Sequence, residues 1–186
     1  MCCRCYIEYI KDEKLRKMYE NLLDKENLKT EGEIYPKDFA LVLTNDKTHL
    51  KVNKMRWGYD IHNKLVFNTR VETISEKLAF KDGINKNRCL IPVSNYFEWK
   101  KDDKQKYAIR NNESSVTYLA GIYRIENNEP VFSIVTKDAI EEIKFIHDSM
   151  PVILDTESAK KYLNVSRNYL EIFENSKVQI LYKESE

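Results

Sequence analysis

A chain of 186 residues that is 42% hydrophobic and 33% charged has the size and make-up of one soluble globular domain. Its length buries roughly 70% of the surface an unfolded chain exposes, so neither metal nor disulfide is required for folding. With 31 Lys and Arg against 30 Asp and Glu, the net charge of +1 excludes a uniformly basic nucleic-acid binder and admits one only where cations gather on one face.

Along the chain, Leu15, Met18, Tyr19, Leu22 and Leu23 recur at helical spacing and predict an amphipathic helix over 13–28. Short apolar or alternating runs predict strands over 39–43, 50–56 and 65–68. Residues 72–80 read as a helix stopped near Gly83, where glycine can take a positive φ. Strands are expected over 89–92, 96–100, 106–110, 117–123 and 131–135, with Asn127-Asn128 as the hairpin turn between the last two. A helix over 138–146, a strand over 152–154, helices over 157–163 and 166–173, and a strand over 178–182 complete the chain. This pattern is an α+β single domain over 1–186, with a central antiparallel or barrel-like sheet and peripheral helices. No stretch approaches the ~20 apolar residues of a membrane span. Lys11, Asp12, Glu13 and Lys14 interrupt any signal-type run, so a cytoplasmic location is expected, with Cys2, Cys3, Cys5 and Cys89 reduced.

Four blocks carry reactive side chains. In Met1-Cys2-Cys3-Arg4-Cys5, loss of Met1 would leave Cys2 as a 1,2-aminothiol. Its amine can condense with an aldehyde, and its thiol can close a thiazolidine ring at high effective molarity. An α-amine titrates near ~8, so a neutral fraction exists at physiological pH. The alternatives are a small terminal residue without chemistry, or half of a Cys2/Cys5 metal site. The latter has no second ligand pair, and no metal or other cofactor is expected. In Met55-Arg56-Trp57-Gly58 and Asn68-Thr69-Arg70, Trp57 either stacks on a base or fills the core. Asn68 and Arg70 share one face of an extended segment, where they can hold a phosphate or orient an amine; otherwise Arg70 pairs with Glu72. Glu98, between Phe97 and Trp99, is either a surface strand residue or a desolvated acid fit for proton transfer. The last block runs from Ser133-Ile134-Val135-Thr136 to His147-Asp148-Ser149-Met150-Pro151, where His147 is a structural imidazole or a proton shuttle.

In order along the chain, these blocks resemble the SRAP family (SOS response-associated peptidase-like proteins): a Met-Cys-x-Arg start, Arg-Trp-Gly, Asn-x-Arg-x-Glu-Thr, Arg-Cys-Leu-Ile-Pro ending in Glu-Trp, and His-Asp-x-Met-Pro-Val-Ile-Leu. The resemblance implies a DNA-damage-response protein that captures abasic sites in single-stranded DNA by a covalent crosslink through Cys2, after autocatalytic removal of Met1. Peptidase-like or lyase chemistry belongs to the same implication. By position, Asn68 would place the Cys2 amine, Glu98 would move protons during Schiff-base formation, and His147 would assist sugar ring opening and imine turnover. Arg4 and Arg70 would hold phosphates, with Trp57 and Thr136 along the single-strand path. Activity close to the nucleoid and a monomeric state complete the expectation.

The chain departs from the family pattern at Cys3 (usually Gly), at Cys5 (usually aromatic), at Ser149 (usually Arg) and in a truncated segment after Trp57-Gly58. The Ser149 change removes a phosphate contact, which weakens binding and flattens its salt dependence. Two other functions compete: a thiol peptidase with Cys2 as nucleophile and His147 as base, and a non-catalytic single-strand DNA-binding module indifferent to Cys2.

Overall fold

The computed structural model describes residues 3–46 and 49–185. Among these the elements run β1 (Cys5–Glu8), α1 (Glu13–Glu20), β2 (Glu31–Ile34), β3 (Phe39–Asn45), β4 (Leu50–Trp57), β5 (Tyr59–Ile61), β6 (Lys64–Val66) and β7 (Asn68–Arg70). They continue with α2 (Leu78–Lys86), β8 (Arg88–Val93), β9 (Asn95–Trp99), β10 (Lys106–Asn111), β11 (Thr117–Glu126) and β12 (Glu129–Asp138). The last are α3 (Glu141–Lys144), β13 (Ser149–Pro151), β14 (Ile153–Leu154), α4 (Thr156–Tyr162), α5 (Tyr169–Asn175) and β15 (Ile180–Ser185).

The larger sheet closes on itself. Strand β3 pairs with β4 and β8, β8 with β11, β11 with β12, and β12 with β4 in parallel. Closure removes the open edges of a flat sheet and gives each strand an inner face. All six residues of β8 are buried, because one face lines the barrel while α2 and α4 cover the other. Gly121 on β11 lies where its neighbours leave no room for a side chain: a Cβ there would lie 2.5 Å from Ile91 Cδ1 and 3.2 Å from the Ser133 carbonyl oxygen. The second sheet is antiparallel, ordered β15-β10-β9-β1-β2. Ser94 joins it to the barrel between β8 and β9, donating its N–H to the Tyr6 carbonyl at 2.9 Å.

The α+β class and barrel-like sheet match the sequence reading, and the Asn127-Asn128 turn has φ of 48° and 67°, the doubly left-handed hairpin that asparagine tolerates. His62 (φ 48°) and Asn63 (φ 61°) make the same turn between β5 and β6, where no hairpin was expected. Helix α1 is shorter than expected. Asp12 caps it by accepting from the Leu15 N–H at 3.0 Å, and it stops before Asn21. Beyond it an Asp24–Glu26 turn and a positive φ at Asn27 break the helix, although Leu22 and Leu28 still bury. The helix expected over 72–80 is displaced to α2. Gly83 lies inside it rather than ending it, because a Cβ there would come 2.9 Å from Ile122 Cδ1. Asp138 ends β12 opposite Ser149 instead of starting a helix, which leaves α3 a single turn. No helix among the described residues is long and apolar enough to cross a membrane.

Candidate functional site

The last residues of β12 form the floor of the site. Strand β7 runs parallel along one edge, with Ile134 beside Asn68, Val135 beside Thr69 and Thr136 beside Arg70. On the other edge lies β13, with Thr136 opposite Pro151 and Asp138 opposite Ser149. Paired residues point to the same side of a sheet, so Asn68, Arg70, Thr136, Asp138 and Ser149 share one face. The shared face predicted for Asn68 and Arg70 is therefore present. His147 lies two residues before Ser149, in the turn between α3 and β13.

The wall comes from the second sheet. Glu98 on β9 stands opposite Tyr107 on β10, and on its other side runs β1, with Cys5 opposite Tyr96. The Phe97 N–H donates to the Arg4 carbonyl at 2.9 Å. The expected nucleophile, Cys2, and Met1 lie outside the described residues. Two contacts bring the wall to the floor. The Tyr107 ring meets that of Phe145, two residues before His147, edge-on at 5.8 Å, and Lys101, three residues after Glu98, forms an ion pair with Asp148.

Glu98 is 4% exposed, and burial raises its carboxyl above the ordinary range by penalising the anion. Burial is the largest influence on His147 and lowers its pKa. Burial thus disfavours the charged form of both groups. The Ser149 N–H points at His147 Nδ1 from 3.0 Å, with Ser149 Oγ 3.2 Å from the same nitrogen.

Three residues assigned to DNA sit differently from expectation. Trp57 is fully buried, stacked on Phe132 at 6.0 Å with Phe67 edge-on at 6.2 Å, and its Nε1–H donates to the Phe67 carbonyl at 2.9 Å. Its ring has no open face for a base, so it fills the barrel. Thr136 is 1% exposed, and its hydroxyl faces the Thr69 carbonyl at 3.5 Å, so it is a covered part of the floor. Arg4 lies between the rings of Tyr35 and Trp99, 4.7 Å from each, with Glu33 at 3.1 Å. That sandwich fixes the entry of β1 rather than offering an open guanidinium.

Arg70 stays half-exposed but is held by three carboxylate contacts: Nε and Nη2 to Glu72, each at 2.9 Å, and Nη2 to Asp138 at 2.6 Å. The Glu72 pairing weighed from sequence is present, while Asp138, 68 residues away, gave no sequence signal. Nor did Tyr107, Phe145 or Lys101, which only the sheet register and the α3 turn bring to the site. Cys5 is fully buried, and no cluster of three or more metal-ligating side chains occurs among the described residues.

Comparison with known proteins shows the family. The family model described as SOS response associated peptidase (SRAP) matches residues 1–181. The abasic site processing protein YoqW of Bacillus subtilis is 34% identical over 147 residues, covering 70% of this chain and 65% of that protein. YoaM of the same organism, also described as an abasic site processing protein, is 34% identical over 157 residues, covering 74% and 69%. The chain thus spans about two thirds of the length of these relatives. A crystal structure of a protein from Bacteroides thetaiotaomicron superposes with a TM-score of 0.75 at 23% identity, covering 98% of this chain and 91% of that one, which shows the common fold. On the family match over nearly its whole length, the chain belongs to the SOS response associated peptidase (SRAP) family.

Proposed function

We propose that this protein processes abasic sites in single-stranded DNA by capturing the ring-opened sugar on Cys2. The observation that carries the reading is Glu98: a nearly buried carboxyl with a raised pKa, on the strand beside β1. Cys2 precedes β1 by three residues. The relatives described as abasic site processing proteins support it.

Removal of Met1 frees the Cys2 α-amine. His147 assists opening of the deoxyribose ring to the aldehyde. The amine then adds to C1′, and the resulting hydroxyl leaves as water once Glu98 has protonated it, giving an imine. The Cys2 thiol adds to the same carbon. A C–S bond forms, the imine nitrogen takes the proton, and the product is a thiazolidine with one water lost overall. Asn68, its side-chain oxygen shielded from solvent, orients the amine. Arg70 receives a phosphate by exchanging carboxylate partners for it.

The test is denaturing electrophoresis after incubation with single-stranded DNA carrying one abasic site, using protein shown by mass to begin at Cys2. A heat-stable shifted band that requires the abasic site and disappears in Cys2→Ala is the expected result. Absence of any band would overturn the reading and favour a peptidase or a simple binding module.

A further inference from the structure

Ser149 closes the turn that carries His147 and touches its imidazole. Both Ser149 contacts converge on Nδ1: the backbone N–H at 3.0 Å and the hydroxyl at 3.2 Å. A backbone N–H can only donate, so Nδ1 must present its lone pair and the neutral ring must carry its proton on Nε2. A hydroxyl can reverse its role. When the ring gains a second proton, at Nδ1, the backbone N–H no longer has an acceptor there, but Oγ can accept the new Nδ1–H after its own hydrogen rotates away.

We propose that Ser149 is a positioning residue for His147, its N–H fixing the Nε2–H tautomer and its hydroxyl receiving the Nδ1 proton of the charged ring. The strand register holds Ser149 in place, since β13 fixes it opposite Asp138, which is itself tied to Arg70. The charged groups that bear on the ring among the described residues are Lys101 and Asp148, which pair with each other. They set a background that a neutral substitution at position 149 leaves unchanged.

This inference rests on reading His147 as a proton-transfer group, but its first test needs no DNA. The chain has 3 histidines, so ring 15N and 1H signals of His147 can be assigned with His147→Gln and titrated. The expected result is an unprotonated Nδ1 in the neutral ring, a His147 midpoint that moves further down in Ser149→Ala, and recovery in Ser149→Thr, with equal thermal midpoints for all three proteins. An Nδ1–H tautomer, or a titration that Ser149→Ala leaves unmoved, overturns the proposal whatever the protein does to DNA. In single-turnover crosslinking, Ser149→Ala should be about fivefold slower near neutrality, with its pH profile displaced to lower pH, and Ser149→Thr should restore it. No crosslink from the wild type, with the titration as expected, would instead count against the abasic-site reading alone.

Discussion

Arg70 Nη2 lies 2.6 Å from Asp138 Oδ1, across two strands that run parallel at the rim of the barrel. The pair locks β7 to the end of β12 and spends on a protein carboxylate the cation that a DNA phosphate would need. Replacing Asp138 with Asn should therefore help DNA rather than harm it. Because a half-exposed pair contributes little net energy, affinity for single-stranded DNA should rise by roughly two- to threefold. The salt dependence should steepen, and Arg70→Ala should do the opposite on both counts. Fluorescence anisotropy across a salt series checks this, and weaker binding by Asp138→Asn would sink it.

Glu98 should cost stability for the sake of chemistry. Its folded-state pKa is raised by burial from the ordinary 4.5. The folded protein holds that proton more tightly than the unfolded chain, so the cost is absent below pH 4.5 and grows as pH rises towards the folded pKa. Glu98→Gln should melt a few degrees higher than wild type at pH 7 and at the same temperature near pH 4, while losing crosslinking. Melting curves at the two pH values decide it; equal midpoints at pH 7 would show that the buried carboxylate is fully compensated.

Asp155 works in the opposite sense. Burial alone would raise its pKa, but hydrogen bonds from Ser158, Ser176 and Lys177 overcome that and hold it down to about 2. It caps α4 and ties the segment after α5 to that cap. Its stabilisation is complete above the unfolded value of 3.8 and is lost as pH falls towards 2. Asp155→Ala should cost about 1–2 kcal/mol at pH 7, measured by urea denaturation, and the gap from wild type should narrow below pH 3.8.

Arg88 is 5% exposed, and its hydrogen-bond partners are backbone carbonyls: Ile84 at 2.7 Å, Arg167 at 2.9 Å, Asn164 at 3.3 Å and Tyr162 at 3.4 Å. One guanidinium thereby joins α2 to the chain between α4 and α5. Arg88→Ala should cost about 3 kcal/mol, because several buried acceptors lose their donor together. Arg88→Lys should recover only part of this, since an ammonium cannot span the fork. Denaturant midpoints for the pair test the geometry.

The candidate site residues stood out in the sequence because the chemistry proposed for them confines them to a few side-chain types: a cysteine next to the start, Asn68 and Arg70 two apart, Glu98 between aromatics, and His147 before a proline-led strand. Most strands were legible for a similar reason. Buried strands such as β3 and β8 are runs of apolar residues, and the Asn127-Asn128 turn carries its own signature. The weakly apolar β1, β2 and the β5–β6 hairpin carry almost no pattern and exist because neighbouring strands pair with them. Only tertiary packing decides what the residues with two possible roles touch. Trp57 has the chemistry to stack on a base, yet barrel closure buries it against Phe132. Arg4 and Arg70 have the charge for phosphates, yet strand register brings them carboxylates. Side-chain type fixes what a residue can do, but what it meets depends on contacts between segments far apart in the chain, which local sequence does not encode.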